Sequence, residues 1–100
     1  PNEALGVNSR VELAQANAAV RKTINESFMK AGVTIVDPDT TLISHGTSIG
    51  ADTTIYPFTV IDNFVTIGTQ CKVGPFAHIK KGTKIRKNSV VDGFSLQANT

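Results

Sequence analysis

The chain has 100 residues, 40% of them apolar, and a formal net charge of +2. That confines it to one domain or a piece of one, excludes global disorder, and leaves too little charge to indicate a nucleic-acid partner. A single cysteine excludes an internal disulfide, no run approaches roughly 18 apolar residues, and no signal-peptide core is present, so a soluble cytoplasmic protein without a membrane partner is expected.

Residues 1–8 read as a connector. Ser9-Arg10-Val11-Glu12 then matches a capping box, with Ser as the N-cap and Glu three residues on. From there to Ala31 no Gly or Pro intervenes, and Leu13, Ala16, Val20, Ile24 and Phe28 fall at spacings of three and four. The pattern predicts one amphipathic helix of about 22 residues. Gly32 stands where a left-handed C-terminal cap belongs. Gln15, Lys22, Asn25 and Glu26 form the expected polar face. The apolar stripe needs a support, which is another domain, a second chain, or the element that follows. Val33-Thr34-Ile35-Val36 reads as a strand and Asp37-Pro38-Asp39 as a turn leading into a first coil.

From Ile43 a branched aliphatic residue recurs every six positions: Ile43, Ile49, Ile55, Ile61, Ile67, Val73, Ile79, Ile85, Val91. Four residues after each comes a small or β-branched one: Thr47, Thr53, Thr59, Val65, Cys71, Ala77, Thr83, Ser89, Ser95. A spacing of six turns a helix through about 600° and scatters these residues around its axis, so helix is excluded. The hexad fits one short side of a triangular coil of about 18 residues, with coils stacked by parallel pairing at roughly 4.8 Å. Its first residue points inward, and three columns are predicted: Ile43/Ile61/Ile79, Ile49/Ile67/Ile85 and Ile55/Val73/Val91. Hexads fill 43–96, and the pattern breaks at Gln97. A stack of three coils has open ends, which implies more repeats or oligomerisation.

Outward positions carry a second period. Phe58, Phe76 and Phe94 lie 18 residues apart, after Pro57, Pro75 and Gly93, and Val60, His78 and Leu96 form a neighbouring column. An aromatic and apolar ridge along one edge is predicted, as a seat for the N-terminal helix or as a subunit interface. His45 and His78 lie in no triad or metal-ligand spacing, and His78 is the one placed beside the ridge. Cys71 takes an inward position and reads as an inert buried thiol. The cluster Lys72, Lys80, Lys81, Lys84, Arg86 and Lys87 either draws a phosphate-bearing ligand or is a solvated face that blunts an exposed edge. No residue is assigned to catalysis or to a metal.

Three segments carry a resemblance that spans nearly the whole chain: Leu5 to Ala14, Met29 to Pro38, and Ile67 to Ile79. Together they resemble the bifunctional bacterial N-acetylglucosamine-1-phosphate uridylyltransferases/glucosamine-1-phosphate acetyltransferases. The hexads alone are shared by many acyltransferases; the first two segments are more specific. The resemblance implies a linker helix at 9–32, after the 1–8 connector, and at 33–100 a mainly β domain, a left-handed parallel β-helix truncated at both ends. It implies a homotrimer in which acetyl-coenzyme A acetylates glucosamine 1-phosphate between subunits. A separate Rossmann-like domain then transfers uridylyl from UTP with Mg²⁺, giving UDP-N-acetylglucosamine for the cell wall. The acetyl-transfer residues of such enzymes lie in later coils, so this stretch is expected to hold no cofactor and to be inactive alone. Lys80, which ends the segment Gly74-Pro75-Phe76-Ala77-His78-Ile79-Lys80, matches a basic residue that contacts the sugar phosphate. Two other readings stay open: a stand-alone hexapeptide-repeat binding module, and the tail of another sugar-phosphate nucleotidyltransferase.

Overall fold

The computed structural model describes residues 9–93; the connector at 1–8, Phe94, Leu96 and the break at Gln97 lie outside them. Helix α1 spans Arg10–Lys30. It starts where a side chain can satisfy an orphan amide: the Ser9 hydroxyl accepts the Glu12 N–H at 3.2 Å. It stops through two reversed hydrogen bonds, Gly32 N–H to Met29 O at 3.2 Å and Val33 N–H to Phe28 O at 3.0 Å. This is a Schellman motif, and it requires the left-handed φ of +98° that Gly32 adopts.

Ten short strands follow: β1 (Thr34–Ile35), β2 (Thr41–Ile43), β3 (Ser48–Ile49), β4 (Thr54–Ile55), β5 (Thr59–Ile61), β6 (Thr66–Ile67), β7 (Lys72–Val73), β8 (His78–Ile79), β9 (Lys84–Ile85) and β10 (Val90–Val91). They stack into three parallel sheets, β1-β4-β7-β10, β2-β5-β8 and β3-β6-β9, each one face of a triangular prism. The fold is a left-handed parallel β-helix of about three coils preceded by one helix. Its inner columns are the predicted ones: Ile43, Ile61 and Ile79 lie in register, as do Ile49, Ile67 and Ile85, and Ile55, Val73 and Val91. All but Ile49 are buried. Each buried aliphatic side chain contributes about 1.5–3 kcal/mol relative to an exposed one, so the columns are the main stabilising term.

The stack begins earlier than the hexads do. Ile35 pairs with Ile55, 20 residues on, whereas Ile55 pairs with Val73, 18 on. Strand β1 is therefore the first side of the first coil and not a lead-in to a coil starting at Ile43. The two extra residues are taken up by a 3₁₀ turn at Pro38–Thr40, where the Asp37 carboxylate accepts from Asp39 N–H at 3.2 Å and from the Thr40 hydroxyl at 3.0 Å.

That turn is also where the helix docks. Helix α1 packs against β1, the 3₁₀ turn and β2. Asn25, expected on the polar face, is instead the one buried residue of α1. Its amide nitrogen donates to Pro38 O and Thr41 O, both at 3.0 Å. These two bonds replace water at the nitrogen, whereas the Asn25 Oδ1 is buried without a hydrogen-bond partner. Ile24, Phe28 and Met29 pack beside it against the core. Only the C-terminal half of the stripe is supported in this way; Val11, Leu13 and Val20 are exposed.

At Thr47 and Thr53 the residue at the fifth position of the hexad does more than fill a small space. The Thr53 hydroxyl donates to Gly68 O at 2.7 Å and accepts from Cys71 N–H at 3.1 Å. The Thr47 hydroxyl likewise donates to Asp62 O at 2.8 Å and takes Val65 N–H at 3.4 Å. These two threonines, Thr53 buried and Thr47 partly so, thus tie one coil to the next where the strand ladder is interrupted. The position before them is the corner, and its backbone is left-handed in every hexad from Gly46 on: Gly46, Asp52, Phe58, Phe64, Gln70, Phe76, Gly82 and Asn88 all have φ between 57° and 79°.

Candidate functional site

The face formed by β2, β5 and β8 differs from the other two. Its outward side chains are Leu42, Val60 and His78, paired in register. At the corner before it, Phe58 and Phe76 lie flat on one another, with ring centroids 5.3 Å apart and planes 4° off parallel. At the corner after it stands Phe64, which meets His45 edge-on at 5.9 Å and has the Lys81 ammonium 5.9 Å from its ring centroid. All three rings are exposed, at 55%, 54% and 62% for Phe58, Phe64 and Phe76. A bulky residue at positive φ costs about 1–2 kcal/mol, so three of them in the left-handed region is a costly way to present aromatic surface. Backbone contacts hold the corner: Phe58 N–H donates to the Thr40 hydroxyl at 3.3 Å and Phe76 N–H to Pro57 O at 3.3 Å.

The predicted ridge is thus assembled as far as Phe76, with Phe94 beyond the described residues. The helix does not sit on it. Since α1 packs at β1 and β2, Phe58 and Phe76 are left uncovered. His78 lies on this face, where its Nε2 is 3.1 Å from Asp62 Oδ2, both side chains being well exposed. Sequence reading missed that partner and Phe64; the second was discoverable, because Phe64 occupies the same corner position as Phe58 in the next hexad. The fit of Phe64 has its own requirement: a Cβ on Gly46 would meet the Phe64 ring.

Lys80 is exposed at the end of β8, and its carbonyl accepts from the Thr83 hydroxyl at 2.7 Å. It belongs to a marked segregation of charge. Residues 33–71 contain four aspartates and no lysine or arginine, whereas 72–93 contain six basic residues and one aspartate. Cys71 is buried, with its Sγ donating to Arg86 O at 3.0 Å. Among the described residues no three His, Cys, Asp or Glu side chains converge as a metal site would need. No helix among them is long and apolar enough to cross a membrane.

Residues 46–81 match the family model described as bacterial transferase hexapeptide (six repeats). Proteins named Bifunctional protein GlmU extend the likeness beyond the repeat. That of Fervidobacterium nodosum is 49% identical over 77 residues, which is 77% of this chain and 17% of the relative. That of Shouchella clausii is 39% identical over 126 aligned positions, 93% of this chain and 28% of the relative. The chain is similar to the GlmU proteins over most of its own length. It spans between 17% and 28% of the length of these two relatives. A third GlmU relative, from Symbiobacterium thermophilum, is 49% identical over 81% of this chain. The match to GlmU thus runs well past the 36 positions of the repeat model.

Proposed function

We propose that this chain is the linker helix and first coils of the β-helix domain of a cytoplasmic bacterial sugar-nucleotide enzyme, and that its own role is to bring subunits together as a trimer. The whole enzyme on this reading acetylates glucosamine 1-phosphate from acetyl-coenzyme A and then makes UDP-N-acetylglucosamine from UTP. The observation that carries the scaffold role is the β2-β5-β8 face, with its outward Leu42 and Val60 between exposed phenylalanines at both corners. Surfaces of this composition mark contact sites, and His78 and Asp62 supply a polar rim. The inward columns hold aliphatic side chains and hydrogen-bonded threonines, which have no group to offer to acyl transfer.

Mg²⁺, which uridylyl transfer uses, finds no fitting set of acidic side chains among the described residues, so that step is assigned to another domain. Lys80 is assigned to the phosphate of the sugar phosphate, in a coil whose excess of lysine favours an anion. Light scattering on the chain tests the scaffold role. A trimer mass that falls to a monomer with Phe76→Asp is the expected result; an unchanged mass moves Phe76 to another role. Acetyl transfer to glucosamine 1-phosphate by this chain alone would overturn the assignment of catalysis to later coils.

A further inference from the structure

Between α1 and β2 lies an open groove of about 500 Å³. One wall is the middle of the helix, with Val20, Arg21 and Ile24; the other is the start of the coil, with Leu42, Ser44 and His45. It exists because the helix docks by its last turns, held by Asn25, while its middle stands away from the stack. The volume is that of a small-molecule site, and the composition matches too: an apolar floor with a few converging polar groups.

The polar groups share one character. Arg21 is half-buried and has no carboxylate partner among the described residues. The helix positions three and four residues away from it are Asn17, Ala18, Ile24 and Asn25, none of them acidic. Across the groove, the Ser44 hydroxyl and the His45 ring add possible donors and no negative charge. A partly buried arginine with no carboxylate partner presents a planar fork that suits a carboxylate or phosphate.

We propose that this groove binds a small amphipathic monoanion, its carboxylate or phosphate head on Arg21 and Ser44 and its apolar body against Val20, Ile24 and Leu42. The site borders the subunit face, sharing Leu42 with it, but lies apart from Lys80, and it does not depend on the sugar-nucleotide reading.

The test is an NMR titration of the chain with octanoate, octyl phosphate and the neutral octan-1-ol. Saturable amide shifts are expected at 17–24 and 42–45 with both anions, and the tighter of the two identifies the head group. Arg21→Gln should weaken both anions about tenfold or more and leave octan-1-ol unchanged. Leu42→Asp, which sets a carboxylate opposite Arg21, should abolish anion binding with helicity intact by circular dichroism. The proposal is overturned if Arg21→Gln leaves the anion affinities unchanged, or if the shifts fall on the lysines of 72–87. It is also overturned if the helix signals at 17–24 move with protein concentration in the absence of ligand, since a second copy would then be the occupant.

Discussion

The inside of the prism and its corners obey different rules. Inside, Ile61 touches Ile43 below and Ile79 above, and the three have no freedom to be anything but compact and apolar. At the corners a left-handed backbone is compulsory and the side chain is free: glycine, aspartate, glutamine, asparagine and phenylalanine all occur there. The difference shows that the fold is specified by its interior and its outward chemistry by its corners. Where the corner carries phenylalanine, local backbone preference has been overridden in favour of exposed aromatic surface.

Substitutions of both kinds sharpen this division. The largest effect is expected inside: Ile61→Ala, in the middle of a buried column, should cost about 2–5 kcal/mol in urea unfolding. Asn25→Ala, which removes the buried donor to Pro38 O and Thr41 O at the docking site, should cost about 1–3 kcal/mol and release the helix from the coil in hydrogen exchange. Thr53→Val keeps the shape but removes the link between Gly68 O and Cys71 N–H; about 1 kcal/mol is expected, with faster exchange at Cys71. The smallest effect is expected at the corner. Phe76→Gly loses a ring stack of about 0.5–1.5 kcal/mol and relieves a left-handed strain of about 1–2 kcal/mol, so stability should move by no more than about 1.5 kcal/mol while self-association falls. If Phe76→Gly instead unfolds the chain as Ile61→Ala does, the division between interior and corner is wrong.

The interior was legible because a period of six admits one arrangement of buried aliphatics. It failed at Ile35, because the two additional residues of the 3₁₀ turn put that residue out of step with a column to which it belongs. Asn25 was misplaced for a related reason. A helical wheel assigns amides to water, and only the tertiary approach of two carbonyls makes this one a buried donor. The left-handed corners left a faint trace, in Gly46, Asp52, Gly82 and Asn88, that the phenylalanines between them obscure. The segments Leu5 to Ala14 and Met29 to Pro38 pointed to this likeness before any coordinate did, and the comparisons find GlmU relatives over most of the chain. The groove at Arg21 left no trace at all, since it is a product of how far the helix stands from the stack.

The charge segregation along the prism has a consequence for assembly. With acidic coils at the helix end and a basic coil at the other, the prism is an electrical dipole whose poles are only a few coils, at roughly 4.8 Å each, apart. Subunits packed side by side with axes parallel bring like poles level, and their basic coils then repel, a repulsion that salt screens over a Debye length of about 8–10 Å. Axes packed antiparallel bring opposite poles together. Ionic strength therefore reports orientation: salt strengthens a parallel assembly and loosens an antiparallel one.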